Sequence, residues 1–508
     1  MSVPASAKVL VIGGGPGGSY AATCLARENV DVVLLEADKF PRYHVGESQL
    51  ASLRYFLRFV DLEQQFEDFG FQKKPGAAFK LNQNKREGYT DFTAKDPANY
   101  SWNLVRSLSD ELMLRHAAKS GANVIEETKV TEVEFKGEGD AAQPVAAVWK
   151  NKAGETGKIT FDFVIDASGR NGIISSKYKK TRVFNDNLLN VASWGYWKGT
   201  GRYAVGTSRE NGPFFESLTD ESGWAWFIPL HDGTTSVGVV QNQDISNKKR
   251  AEAKERGEDS STSAHYHREL DLAPAPDAPM ISAASDYSYH ASAYAGPHYR
   301  LVGDAACFID PFFSSGVHLA ISGGLSAAAS VCAVINGQAT DAEAQVYHHQ
   351  KVDAAYKRFL LVVLSAYQQI RVQNVPVYSN ENNFDEAFHF FRPIIQGNTD
   401  TGKQLAGDDL KKTVEFLGTH AFEPSLPEER TQIFAKYGEE VDKLPASMTD
   451  DNVEDTRARN ILQGIAIRKL MRTEDTLHIN NETVDILGGL RMVMKRGSLG
   501  LEKAEIMA

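Results

Sequence analysis

Lys8-Val9-Leu10-Val11-Ile12-Gly13-Gly14-Gly15-Pro16-Gly17-Gly18 is the stretch that decides the fold. A short apolar run stops at a cluster of glycines, and Ser19 to Arg27 then has helical composition. The order is strand, tight turn, helix start. Gly13 permits the turn, Gly15 and its neighbour Pro16 let the backbone approach a pyrophosphate, and Gly18 lets the helix pack closely on the strand. A helix start offers unpaired amides and the positive end of the dipole to a phosphate. The next strand, Asp31 to Leu35, ends in Glu36, 18 residues beyond Gly18, where a carboxylate can take the ribose hydroxyls of an adenosine. A glycine-rich loop without a ligand is the plainer alternative. The combined context predicts a Rossmann-type dinucleotide-binding part.

Two later segments return to that turn. Ile159, Phe161, Phe163 and Ile165 alternate along a strand that runs into Asp166-Ala167-Ser168-Gly169-Arg170. Tyr299 to Val302 is another buried strand, ending in Gly303-Asp304. Such late returns favour a flavin over a nicotinamide. Phe308 to Gly316 follows directly, and Gly316 to Ser330 is a small-residue helix whose first amides, near Ser315 and Gly316, can hold an anion. An ordinary Ser-Ser-Gly cap is the competing reading. The chain shows one full glycine fingerprint, so a second nucleotide domain for NAD(P)H is not expected.

With 508 residues the chain can build a large core in roughly two to three domains. A net charge of -11 without a basic stripe argues against nucleic acid and against an anionic membrane surface. Cys24, Cys307 and Cys332 lack paired spacing, so neither a disulfide framework nor a metal site is expected. The N-terminus enters a strand by Lys8 without a signal segment, and the longest apolar run, Phe359 to Leu364, is too short to span a bilayer. These features suggest a cytoplasmic protein.

After Glu36 comes Pro41-Arg42-Tyr43-His44-Val45-Gly46-Glu47-Ser48, then Leu50, Leu53, Leu57 and Val60 at helical spacing, which places a helix start near Ser48. Arg42 can pair with a phosphate or cover an adenine, or can be a solvated loop residue; His44 reads as structural. Phe71 to Phe79 is short and extended. Lys73 and Lys74 therefore point to opposite faces, and one at most can enter a cavity. Trp102 to Arg106 reads as a strand and Asp110 to Lys119 as a helix closed by Gly121. Leu189 to Val240 predicts a mostly antiparallel sheet, in which Trp224 and Trp226 share one face. Ser246 to Tyr266 is charged and polar and reads as an exposed helix or excursion. Beyond Asp341, helical patterns cover 347–371, 384–391, 427–443 and 453–472, broken at Pro376, Pro393 and Pro424.

Three motifs in order carry a family resemblance: the glycine fingerprint, Trp224-x-Trp226-x-Ile228-Pro229, and Phe308-x-x-Pro311-x-x-Ser314-x-Gly316. The chain resembles the FAD-dependent monooxygenase superfamily and, within it, the flavin-dependent halogenases. Phe71-x-Lys73-Lys74-x-Gly76-Ala77-x-Phe79 and Lys85 to Phe92 look most like the fungal halogenases of resorcylic lactones (radicicol-type) and related phenolic polyketides. The resemblance implies an α/β (α+β overall) fold. It has a Rossmann flavin part (1–185), an antiparallel sheet roof (186–298), a return carrying the halide loop (299–340) and a helical C-terminal region over the substrate (341–508).

It also implies FAD, as FADH2, held by Gly13, Gly15, Pro16, Gly18, Glu36, Arg42, Arg106, Asp166, Gly303 and Asp304. Halide, chloride or bromide, would sit at Ser315 and Gly316. Trp224, Trp226 and Pro229 would wall a tunnel, and Lys74 would be catalytic. The implied partners are a phenolic small molecule and a separate flavin reductase. O2 would form a flavin hydroperoxide that halide attacks, and the hypohalous acid would meet Lys74 as ammonium or as free amine. Phe313 stands where tryptophan halogenases carry a glutamate, which leaves the acid-base partner of Lys74 open. Phe388, Phe390 and Phe391 either line the substrate cavity or pack helices. A flavin phenol hydroxylase and a non-catalytic binder of a hydrophobic ligand are the competing functions.

Overall fold

Ser6–Ile12 lies between Thr156–Asp166 and Val32–Leu35, parallel to both. Tyr299–Leu301 extends the sheet on one side and Asn123–Ile125 on the other, again in parallel. Val9, Leu10 and Val11 are fully buried, as a strand covered on both faces requires. The register sets Ile12 opposite both Leu35 and Asp166, and Asp166 opposite Leu301. Four strands thus end level and deliver Gly13, Glu36, Ala167 and Val302 along one edge, the carboxyl edge at which open parallel sheets bind ligands. The computed structural model describes residues 2–371 except 84–85, 95 and 273–277, then residues 373, 432, 435 and 458, and 478–504.

Helices Pro16–Arg27 and Gly316–Ile335 pack against each other. The approach is close because both use glycine: a Cβ on Gly324 would lie 2.5 Å from the carbonyl oxygen of Gly17. Gly316–Ile335 is long and apolar enough to cross a bilayer by composition, yet 83% of that window is buried, so it is a core helix. It is also a longer apolar segment than Phe359 to Leu364, because its many glycines, alanines and serines do not read as an apolar run.

A second sheet forms the roof, in the order Cys307–Phe308, Ser282–Ala291, Arg182–Lys198, Thr234–Asn242, Gly223–Pro229, Phe214–Ser217, Gly76–Lys80, Gly88–Asp91. Its pairings are antiparallel except that of Phe214–Ser217 with Gly76–Lys80. The expected boundary between 185 and 186 falls inside Arg182–Lys198, and Gly76–Lys80 and Gly88–Asp91 cross from the first part to join the roof. Backbone donors and acceptors pair with whichever strand packs alongside, whatever its distance in sequence.

Several local expectations change. Ser48 does not start a helix; its segment is held extended by Leu104 N–H donating to the Glu47 carbonyl at 2.7 Å and Gln49 N–H to that of Trp102 at 3.1 Å, and the helix is Leu53–Phe59. The strand at Trp102 is only Ser101–Asn103, and Arg106 opens the helix Arg106–Lys119. The charged stretch at 246–266 takes the helical alternative, as two helices rather than one, Gln243–Glu255 and Thr262–Glu269. Asp341–Arg371 is one long helix, as the pattern over 347–371 implied. The patterns at 384–391, 427–443 and 453–472, with Phe388, Phe390 and Phe391, lie outside the described residues.

The end of the chain, expected to be helical, instead holds a 3-10 turn, Ile479–Thr483, and a hairpin of Leu490–Val493 with Gly500–Lys503. Leu490, Met492, Leu499 and Leu501 join the core that contains Val9 and Val11. Buried Lys351 meets Glu482 at 3.0 Å and Asp485 at 3.1 Å, tying this end to the long helix.

Candidate active site

A cavity of about 430 Å³ follows the carboxyl edge of the parallel sheet and continues under the roof. Gly13, Gly15, Glu36 and Asp304 line its floor, while Trp224 and Trp226 line it from the roof. Gly13 sits at φ +103°, and a Cβ on Gly18 would come within 2.0 Å of the Gly13 carbonyl oxygen, so both positions exclude side chains. Pro16 occupies the first turn of the helix, whose N-cap Gly15 has no side-chain cap, leaving first-turn amides for a ligand. Glu36 is held at the wall by Gly14 N–H at 2.5 Å and Asp38 N–H at 2.7 Å.

Arg42 and Arg106 both reach the cavity. Arg106 makes two bonds to Asp110, at 2.9 and 3.0 Å, and a third to the Val45 carbonyl at 2.9 Å, so the guanidinium is fixed before any ligand arrives. Arg42 leans on the Phe40 ring at 4.7 Å and on Asp110 at 3.4 Å. The Arg106 charge and burial together hold the His44 pKa down to about 4. At Gly303-Asp304 the Asp304 carboxyl is raised by burial, against the pull of Arg170, Arg106 and Arg182.

Asp166 is a correction. Its carboxylate accepts from Ser168 N–H at 3.1 Å, Ser168 O–H at 2.6 Å and Ile174 N–H at 2.7 Å, and it is not on the cavity wall. Ala167, Ser168 and Gly169 face the cavity instead. A carboxylate at a strand end is satisfied by the amides of its own turn.

The Phe308 to Gly316 loop places Pro311–Phe313 in a 3-10 turn capped by Asp310, whose carboxylate accepts from Phe312 N–H at 3.0 Å. Ser314 follows at φ +59°, and Gly316 begins the helix with no side-chain cap. Ser314 and Gly316 line the cavity; Ser315 does not, and its hydroxyl is buried without a hydrogen-bond partner among the described residues. The left-handed turn at Ser314 rotates Ser315 inward. A Cβ on Gly316 would meet nothing within 4 Å, so its backbone borders open space. Phe313 is buried 5.3 Å from the Phe79 ring and supplies no acid or base.

Trp224 and Trp226 pack with ring centroids 5.7 Å apart. The Trp226 indole N–H donates to Ser236 at 3.0 Å, and a Cβ on Gly238 would be 2.1 Å from the Trp226 ring, so the neighbouring strand leaves a slot for it. The Trp224 N–H donates to Tyr367 at 2.8 Å, and the Tyr367 hydroxyl donates to Asp310 at 2.6 Å. Asn190 braces both, at 2.8 and 3.1 Å. This chain ties roof, long helix and loop together. Pro229 is a second correction: strand alternation puts Trp224, Trp226 and Ile228 on the cavity face and Pro229 off it, where its carbonyl accepts from Asn103 at 3.0 Å.

Gln72–Lys74 pairs with Ser101–Asn103, and the two lysines separate as alternation requires. Lys73 is exposed, its ammonium 4.3 Å from the Tyr100 ring centroid. Lys74 is 1% exposed and donates to the Ser48 hydroxyl at 2.8 Å and the Gln49 carbonyl at 2.7 Å. Burial lowers its pKa to about 7. Lys74 is not itself on the cavity wall, but Ser48 is. Sequence reasoning missed Ser48, Asn190, Asp310 and Tyr367. Asp310 lies at an unspecified position of its motif, and Tyr367 sits in an apolar helical stripe that reads as core.

A parallel sheet with a glycine turn, a late Gly-Asp return and an antiparallel roof over one shared cavity defines the class of FAD-dependent monooxygenase-like flavoproteins. The tryptophan halogenase family matches residues 8–97 and 83–388. Flavin-dependent halogenase ascD of Acremonium egyptiacum is 50% identical over 531 residues, spanning 100% of this chain and 94% of that protein. Sulochrin halogenase gedL of Aspergillus terreus (strain NIH 2624 / FGSC A1156) is 47% identical, spanning 99% and 95%. Among solved structures, the myxobacterial chondrochloren halogenase CndH is similar with TM-score 0.64 and 26% identity, covering 82% of this chain and 97% of that one. CmlS, a flavin-dependent halogenase, gives 0.64 and 27%, covering 87% and 79%. The chain therefore belongs to the tryptophan halogenase family and is a flavin-dependent halogenase. The cavity lining is compatible with FAD: an uncapped helix start, glycines that leave the backbone bare, the Glu36 carboxylate, Arg106 and the Gly303-Asp304 return share one wall.

Proposed function

We propose that this enzyme replaces an aromatic hydrogen of an electron-rich phenolic compound, of polyketide type, by chlorine or bromine, using FADH2 from a separate reductase, O2 and halide. Its 47% identity to a sulochrin halogenase supports the phenolic class. When bound in reduced form, FAD supplies the two electrons that, with O2, convert halide into hypohalous acid. Gly13, Gly15, Gly18, Glu36, Arg42, Arg106, Gly303 and Asp304 would hold it. The Gly316 amide, backed by the helix dipole, would hold halide. Trp224 and Trp226 keep a large substrate off the flavin while the oxidant passes.

The observation that carries this reading is Lys74: a buried amine one hydrogen bond behind the cavity wall, with a pKa near 7 and no carboxylate contributing to it. As free amine, Lys74 would attack hypohalous acid through its lone pair, giving up one of its two bonds to Ser48 and Gln49: the O–X bond and that N–H bond break, N–X and water form, and the halogen then passes to one ring carbon while the ring proton returns to nitrogen. Mass spectrometry of products from a phenolic panel, with flavin reductase, NADH, oxygen and bromide, tests the proposal. Gain of bromine with loss of hydrogen supports it. Gain of oxygen alone would make the enzyme a hydroxylase on these substrates.

A further inference from the structure

Halogenation by this route consumes a proton. FADH2, O2, a halide ion, one proton and an aryl C–H become FAD, two waters and an aryl halide: the O–O and C–H bonds break and a C–X bond forms. Of the four electrons that reduce O2, two come from the flavin and two from joining halide to the ring. That proton must reach the part of the cavity under the roof, where Trp224 and Trp226 line the wall.

The roof side of the cavity contains such a path. Trp194 N–H donates to the Tyr43 hydroxyl at 2.6 Å, the Tyr43 and Tyr196 hydroxyls are 3.0 Å apart, and Tyr196 O–H donates to the Glu47 carboxylate at 2.5 Å. An indole N–H can only donate, so Trp194 occupies an acceptor site on Tyr43 and leaves the Tyr43 proton to point at Tyr196. Each hydroxyl then points inward, toward Glu47. The outer end is open, with Tyr43 59% exposed, while Glu47 at the inner end is 2% exposed and lies on the cavity wall.

We propose that Tyr43, Tyr196 and Glu47 form a proton relay that carries the proton of each turnover from solvent into the flavin cavity. Starting from the protonated carboxyl, Glu47 gives its proton to the reacting oxygen; the carboxylate left behind takes the Tyr196 proton, Tyr196 takes that of Tyr43, and solvent returns one to Tyr43. Burial raises the Glu47 carboxyl, so it holds its proton to higher pH than a free glutamate; Tyr196, the Glu47 and Gly46 backbone amides and the Arg106 charge pull the other way. Arg106 is itself paired with Asp110, which Arg42 also reaches, and it holds the pKa of His44 down. The role differs from that of Lys74, whose hydrogen bonds run to Ser48 and Gln49.

The proposal rests on the halogenation reading, so its test combines turnover with a measurement on the protein alone. Tyr196→Phe and Glu47→Gln should each slow halogenation at pH 8 by about 10²-fold, the low end for a positioned proton-transfer group. FAD affinity, read by flavin fluorescence, should stay within about twofold, and imidazole buffer should restore part of the rate to the variants while leaving the native rate unchanged. Tyr43→Phe, a surface change, should lower the rate in the same direction. Infrared titration of the native protein should show a carboxyl band that titrates above the usual glutamate range and is missing in Glu47→Gln. Native rates and pH profiles in both Tyr43→Phe and Tyr196→Phe would overturn the relay. So would absence of that band, or loss of FAD in Glu47→Gln with Tyr196→Phe unaffected, which would make Glu47 a cofactor-holding residue. Failure of the native enzyme to halogenate any phenol would instead strike the halogenation reading, leaving the infrared result to judge Glu47.

Discussion

Lys73 and Lys74 are adjacent, yet one is exposed over the half-buried Tyr100 ring and the other is 1% exposed. Lys74→Ala is expected to lose about 10²-fold or more of halogenation while FAD still binds, and Lys73→Ala to stay near native; product assays on the pair check this. Burial brings the Lys74 pKa to about 7, so under the proposal that the free amine acts, halogenation should rise with pH through about 7. Lys74→Arg, cationic at every pH, should be inactive throughout. The sign for stability follows from linkage: the unfolded lysine holds its proton up to about 10.5 and the folded one up to about 7. Native stability should therefore climb from pH 7 toward 10.5, and Lys74→Met should remove that slope in denaturant titrations.

The start of the Gly316–Ile335 helix and the chain from Trp224 through Tyr367 to Asp310 act as units. Proline is accommodated at a first helical position, since the amide there has no intrahelical partner. Gly316→Pro should therefore keep the fold and FAD while raising the chloride concentration needed for half-maximal rate; an unchanged chloride dependence would place halide elsewhere. Tyr367→Phe strands the buried Trp224 N–H and removes one donor from Asp310. That should cost about 1–3 kcal/mol in denaturant melts, the penalty of a buried polar group left unpaired. It should also release more free hypohalous acid, since the wall and the loop lose their common anchor.

One nucleotide-binding unit is visible among the described residues, formed by a single glycine turn and two late returns to it. NADH alone should give no turnover, whereas NADH with FAD and a flavin reductase should. Efficient NADH oxidation by the purified protein would refute the two-component arrangement. The far end of the chain belongs to this same unit: its hairpin completes the core around Val9 and Val11, and Lys351 pins it through Glu482 and Asp485.

What could be read without coordinates was whatever depends on local geometry. The turn from Ile12 to Gly18 demands residues without side chains, Glu36 follows at a fixed offset, and period-2 alternation alone predicted that Lys73 and Lys74 would part. Alternation would also have excluded Pro229 from the wall once Trp224 and Trp226 were placed on it. Other features depend on contacts between residues far apart in the chain. Ser48 stays extended because Trp102 and Leu104 pair with its segment, which brings its hydroxyl to Lys74. Asp166 turns to its own loop, Tyr367 reaches Asp310 from 57 positions away, and Tyr196 reaches Glu47 from 149. A buried hydrogen bond forms where packing brings donor and acceptor together, and no short-range pattern in the chain records that meeting.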